Sequence, residues 1–214
     1  MIRAIIFDLD GTLVDAYPGI HQSLNETLRE LQLPEVDLHT VKRRVGRGVV
    51  NLMQRSVPED LVEKGLELFH SSYDRTHLSG TFLLPDVKET LELLDQRGIL
   101  LAVASNKPTE FTRNIINHFA LGALFQAIVG PTPEIPPKPD PPMLQHLLRV
   151  LKVSAQETLY VGDMVLDAET ARNSEVWLAL IPSGGHSREE LEGLKPDFLL
   201  NRFGELIQIV NAEV

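Results

Sequence analysis

The chain opens on a short apolar run, Arg3 to Phe7, rich in isoleucine and stopped by Asp-Leu-Asp-Gly-Thr. A run of this length bounded by turn residues predicts a buried strand. The rhythm then changes. Ile20, Leu24, Leu28 and Leu31 recur at steps of four, four and three, and Val62, Leu66, Phe69 and Tyr73 repeat the pattern later. Each set lies on one face of an α-helix. Between them, Val41 to Leu52 carries three arginines, two glycines and several valines without a strand pattern. Residues 16–83 therefore read as a helical insert with its hinges, in the size range of a small domain.

After Pro85 helical and strand patterns alternate. Val87, Leu91 and Leu94 mark a helix that stops at Gly98, a favoured helix terminator. Strands are predicted over Ile99–Ala104, Leu124–Val129, Thr158–Val161, Val176–Ile181 and Phe198–Leu200. Helices are predicted over Pro108–Phe119, around Leu144–Leu151, over Val165–Asn173 and around Phe203–Val210. Such alternation implies parallel strands joined by right-handed crossovers. The expected fold is α/β: a Rossmann-like three-layer core with a parallel sheet, built from residues 1–15 and 84–214, with the helical piece inserted after the first strand.

Pro131 to Pro142 breaks the rhythm by holding seven of the fourteen prolines. Proline fixes φ and restricts its predecessor, so this is a stiff extended loop. Lys138 stands in it with prolines on both sides.

Composition narrows the classes. The chain has 214 residues, 43% of them hydrophobic and 23% charged, which is ordinary for a globular protein. No apolar run approaches the ~18 residues of a membrane helix. Cysteine is absent, which excludes disulfides, thiolate metal sites and cysteine nucleophiles. The formal charge of −10 is the wrong sign for a nonspecific nucleic-acid or anionic-membrane binder. The N-terminus carries acids where a signal peptide needs small residues, so a cytoplasmic protein is expected.

In open α/β sheets ligands bind beyond the carboxyl ends of the strands. There the sequence places Asp8, Asp10, Gly11 and Thr12; then Ser105, Asn106 and Lys107; then Lys138; then Asp163 and Asp167. Carboxylates gathered this closely repel one another. A hard divalent cation with oxygen ligands, best Mg²⁺, relieves that repulsion. A lysine and a hydroxyl beside it suit phosphate oxygens. No histidine pairs with a plausible nucleophilic serine, and neither a Walker loop nor a dinucleotide glycine fingerprint occurs.

Asp8-Leu9-Asp10-Gly11-Thr12, Ser105, Lys138 in Lys-Pro-Asp-Pro, and Gly162-Asp163-Met164-Val165-Leu166-Asp167 resemble, in order, the four motifs of the haloacid dehalogenase superfamily. The helical insert is similar to that family's cap domain. Arg44-Val45-Gly46-Arg47-Gly48-Val49, with Ser-Asn-Lys-Pro at the second motif, most resembles the phosphoglycolate phosphatases. One departure follows the fourth motif, where relatives commonly carry Ala-Gly and this chain has Ser174-Glu175.

The resemblance implies a Mg²⁺-dependent phosphatase for a small phosphorylated metabolite, with 2-phosphoglycolate foremost. It makes Asp8 the nucleophile and Asp10 the acid and base. Mg²⁺ would be held by Asp8, the backbone carbonyl of Asp10 and Asp163, supported by Asp167. Thr12, Ser105, Asn106 and Lys138 would bind phosphate, and Arg47 would reach the substrate from the cap. Sugar-phosphate phosphatase, phosphomutase and pyrophosphatase are the readings within the same superfamily; a non-catalytic phospho-acceptor module is the reading from another class. No nucleic-acid or membrane partner is expected, and the chain is expected as a monomer or homodimer.

Overall fold

The computed structural model describes residues 1–210; positions 211–214 of the expected core lie outside the described residues. β1 (Ala4–Phe7) leads to a two-residue strand β2 (Val14–Asp15). Four helices follow: α1 (Tyr17–Glu30), α2 (Leu38–Arg44), α3 (Gly48–Gln54) and α4 (Val62–Thr76). The chain returns through β3 (Phe82–Leu83), which pairs antiparallel with β2. It then runs α5 (Val87–Gln96), β4 (Leu100–Ala104), α6 (Thr109–His118), β5 (Ala127–Val129), α7 (Pro142–Leu151), β6 (Thr158–Gly162), α8 (Val165–Asn173), β7 (Trp177–Leu180), α9 (Arg188–Glu192), β8 (Phe198–Leu199) and α10 (Leu206–Ile209).

The main sheet has six parallel strands in the order β5-β4-β1-β6-β7-β8. Both its faces are covered, so its strands read as continuous apolar runs. Alternation survives within them. Ile5, Phe7, Leu101, Val103, Leu159 and Val161 face one apolar cluster, shared with α5, α6 and the helical lobe. Ala4, Ile6, Ala102, Ala104 and Tyr160 face the other, with Leu144 and Leu147 of α7 and Ala168 of α8. This is the expected three-layer α/β core with its helical insertion.

In the lobe, α1 packs on α4 through the predicted stripe, with Ile20, Leu24 and Leu28 buried against Phe69 and Tyr73. Asp37 caps α2 by accepting from the Thr40 N–H at 2.7 Å. Three details differ from the sequence reading. The strand expected from Leu124 begins only at Ala127, because Gly122–Leu124 closes as a 3₁₀ turn. The β2–β3 ribbon was not predicted, since two-residue strands carry no period. Nor was α9, a five-residue helix begun by a Ser187–Glu190 capping box. No helix among the described residues is long and apolar enough to cross a membrane.

Candidate active site

The strand order brings the motifs together. β1 lies between β4 and β6, so Asp8, Ser105 and Asp163 leave neighbouring strands at the same sheet edge. β1 is also where the order reverses, the usual ligand crevice of an open sheet. Gly11 makes the first turn, with φ of 85° and its N–H donating to the Val14 carbonyl at 2.7 Å. A Cβ on Gly11 would lie 2.5 Å from Asp163 Oδ2, and one on Gly184 would overlap the same oxygen. These two glycines let backbone close around Asp163.

A buried charge cluster fills the sheet edge. Lys138 Nζ lies 3.0 Å from Asp8 Oδ1 and 3.0 Å from Asp167 Oδ1, and donates to the Tyr160 hydroxyl at 2.6 Å. Tyr160 donates in turn to Asp167 Oδ1 at 2.8 Å. Asp167 Oδ2 accepts the N–H groups of Asp163 and Met164 at 3.0 and 3.2 Å, tying the first turn of α8 to the strand end. Asp163 accepts from Thr12 Oγ1 at 3.2 Å and from the Tyr17 hydroxyl at 3.3 Å.

Burial pushes the Asp8 carboxyl up to about 6; Lys138 pulls against this and Asp167 adds to it. Asp163 is held well above the usual carboxylate range by burial and by the charges of Asp167 and Asp8. Burial disfavours the Lys138 charge, but Asp167 and Asp8 outweigh it, and the ammonium is held above its ordinary value.

A cleft of about 650 Å³, counting its open mouth, separates this edge from the lobe. Asp8, Asp10 and Ser105 line its floor; Ile20, Val49, Leu52 and Phe69 form much of its apolar wall. Asp10 is buried and its Oδ1 has no hydrogen-bond partner among the described residues. Its Oδ2 lies 2.9 Å from Lys107 Nζ. Lys107 also donates to the hydroxyl of Tyr73, on α4, at 2.6 Å.

The expected site residues thus separate into two groups. Asp8, Asp10, Ser105, Lys138, Asp163 and Asp167 gather at one edge. The other three stand differently. Thr12 turns its hydroxyl to Asp163. The Asn106 side chain donates to the carbonyls of Gly46 and Lys138, both at 2.9 Å, and accepts the Lys138 N–H at 2.7 Å. Its amide is a clamp between the lobe, the proline loop and the second motif. Arg47 pairs with Glu169 of α8 at 3.4 Å and does not line the cleft, whereas its neighbours Gly46 and Gly48 do.

Sequence reasoning gave no role to Lys107, Tyr17, Tyr73 or Tyr160. Lys107 directly follows Ser105-Asn106 at a strand end, which was the available signal. Tyr73 and Tyr160 fall in predicted helix and strand patterns, where a phenol hydroxyl leaves no mark on periodicity, and nothing in the sequence singled out Tyr17.

Asp8, Asp163 and Asp167 offer carboxylate oxygens within 4.8 Å of one another, all buried. An all-oxygen donor set, two of whose members (Asp8 and Asp163) are held above the usual carboxylate range, suits a hard divalent cation such as Mg²⁺. Both oxygens of Asp167 already accept hydrogen bonds, which fits it better for orienting the site than for a central ligand.

Residues 5–181 match the family model described as haloacid dehalogenase-like hydrolase. The chain is 32% identical to a phosphoglycolate phosphatase of Vibrio parahaemolyticus, across 98% of this chain and 96% of the relative. It is likewise 32% identical to a phosphoglycolate phosphatase of Aquifex aeolicus, across 100% and 99%. The crystal structure of a predicted phosphoglycolate phosphatase from Haemophilus somnus superposes with a TM-score of 0.92 at 29% identity, covering 98% of each chain.

Proposed function

The chain belongs to the haloacid dehalogenase-like hydrolases, and within them we propose a Mg²⁺-dependent phosphatase that cleaves a small phosphomonoester through an aspartyl-phosphate on Asp8. The observation that carries this reading is the pairing of two carboxyls at one cleft. Asp8 is compensated by Lys138 at 3.0 Å, and Asp10, two residues on, has an unpartnered buried oxygen. A nucleophile beside a separate proton carrier is what a two-step displacement needs. The relatives named phosphoglycolate phosphatase support 2-phosphoglycolate as substrate.

In this scheme Asp8 attacks phosphorus, the bond to the leaving oxygen breaks, and Asp10 gives that oxygen its proton. A water then attacks the phosphorus while Asp10 takes its proton, and the phosphorus–Asp8 bond breaks to release phosphate. Ser105 and Lys138 hold the phosphoryl oxygens throughout. Mg²⁺, held by Asp8, Asp163 and the Asp10 carbonyl with Asp167 in support, supplies charge neutralisation when bound. Residues 16–83 act as a cap over a core of 1–15 and 84–214, excluding water from the cleft. A phospho-acceptor module has no use for such a cap, which favours the enzyme.

The test is Mg²⁺-dependent phosphate release from 2-phosphoglycolate and from p-nitrophenyl phosphate by two variants. Asp8→Asn should give neither turnover nor a burst. Asp10→Asn should release up to about one nitrophenolate per site and then stall, since the base for hydrolysis is gone. A burst from Asp8→Asn, or wild-type turnover by Asp10→Asn, would refute the roles.

A further inference from the structure

Lys107 has no part in the phosphoryl-transfer scheme, yet it is the residue in closest polar contact with Asp10. Its Nζ lies 2.9 Å from Asp10 Oδ2 and donates to the Tyr73 hydroxyl at 2.6 Å. The ammonium also lies 4.8 Å from the centre of the Tyr73 ring. The side chains of Lys107 and Asp10 are only 7% and 12% exposed. A carboxylate held at one oxygen by a buried ammonium loses its rotational freedom. The other oxygen, Oδ1, is buried and has no hydrogen-bond partner among the described residues, on a side chain that lines the cleft. A carboxyl with one oxygen held and the other unpaired keeps that second oxygen free to carry a proton.

Tyr73 extends this chain of contacts out of the core. It stands on α4, stacked on Phe69 at an interplanar angle of 17° and edge-on to Phe111 of α6 at 63°. Its hydroxyl is therefore fixed by packing on both sides of the cleft. Two of the three Lys107 donors are used by Asp10 and Tyr73. To reach out and bind a distal anion of the substrate, Lys107 would have to uncover Asp10.

We propose that Lys107 is a positioning residue for Asp10, and that Tyr73 makes this positioning depend on the helical lobe lying over the core. The proposal rests on the reading of Asp10 as acid and base. Lys107 holds Oδ2 and so fixes the carboxyl, leaving Oδ1 as the oxygen that carries the proton. When the lobe swings away, Tyr73 leaves with it, Lys107 loses one of its two anchors, and Asp10 is no longer fixed.

The test measures the first phosphoryl transfer by rapid quench, in full-length protein with Mg²⁺. The two substrates are p-nitrophenyl phosphate and an alkyl phosphomonoester that the wild type cleaves. An alkoxide needs a proton to leave, whereas nitrophenolate scarcely does. Lys107→Met should slow transfer from the alkyl ester about 10²-fold, and transfer from p-nitrophenyl phosphate by less than about tenfold. With the latter it should also show a burst before slow turnover. Lys107→Arg should recover part of the alkyl rate. Tyr73→Phe, which removes a single oxygen, should show the same leaving-group split at about threefold to tenfold, and it carries the test if Lys107→Met does not fold.

Equal losses on both esters in these variants would overturn the proposal. So would a raised KM for a carboxylate-bearing ester with kcat intact, which would make Lys107 a substrate clamp. Either result with an active wild type and an inert Asp8→Asn removes the positioning role alone. Turnover by Asp8→Asn removes the phosphatase reading with it.

Discussion

Asp8 sits in a cluster where burial and charge pull in opposite directions. Its carboxyl is raised to about 6 from an ordinary 3.8, chiefly by burial, with Lys138 opposing and Asp167 adding. In the metal-free protein the folded state therefore keeps a proton that the unfolded chain releases. That contribution to stability is whole below 3.8 and disappears as pH rises through about 6; the sign follows from proton linkage. Mg²⁺ bound among these carboxylates competes with the same proton. Saturating Mg²⁺ should thus raise the melting temperature more at about pH 7 than at about pH 5. Thermal unfolding with and without a chelator checks this, and an equal or smaller rise at the higher pH would contradict it. Asn106 teaches the complementary lesson. Its residue type suits phosphate, yet its amide is committed to Gly46 and Lys138.

At the scale of elements, most of the geometry of the candidate site follows from strands ending and helices beginning. α8 starts immediately beyond β6, and Asp167 in its first turn accepts two backbone N–H groups. Its other end is less well served. Glu175, just past α8, adopts φ of 57° and is exposed. This left-handed conformation at a helix end suits glycine and costs a residue with a Cβ roughly 1 kcal/mol. The Ser174-Glu175 departure therefore marks a strained helix end away from the cleft. Glu175→Gly should stabilise the protein by about 1 kcal/mol, because the exposed side chain gives up little contact. In urea the midpoint should rise with an unaltered slope. A fall in the midpoint would show that Glu175 makes a compensating interaction.

Across the whole molecule, the lobe and core meet at a narrow waist and are fastened at the rim. Gly19 at the start of α1 donates its N–H to the Gly80 carbonyl at 2.9 Å. A Cβ on Gly80 would overlap Gly19 Cα and lie 2.7 Å from its nitrogen. At the rim, Arg43 pairs with Glu190 at 3.0 Å and Arg47 with Glu169 at 3.4 Å. Both pairs are substantially exposed, and such pairs contribute only ~0.2–1 kcal/mol each. They therefore add little to holding the lobe against the core. The waist offers no such give. Gly80→Ala should cost about 1–3 kcal/mol by overpacking against backbone. Gly193→Ala, whose Cβ would be 3.4 Å from the nearest carbonyl oxygen, should be far milder. Chemical denaturation of the two variants compares them directly; equal effects would mean that the waist relaxes freely.

Periodicity was enough to separate the helical insert from the alternating core, because burial on one helix face or on both sheet faces repeats along the chain. The motif positions were legible for a related reason: Asp8, Ser105, Asp163 and the Lys138 loop each follow a strand, and parallel strands put their carboxyl ends at one edge. What the sequence could not decide was which side chains are spent on one another. Arg47 could face substrate or Glu169, Asn106 could meet phosphate or two carbonyls, and Lys107 could be solvated or buried against Asp10. Each choice depends on which groups from distant segments arrive within about 3 Å, the range over which a hydrogen bond or ion pair acts. The β1–β4 pairing brings Lys107 to Asp10, and only the lobe lying on the core adds Tyr73; the 34 and 97 positions separating them in sequence leave no periodic trace.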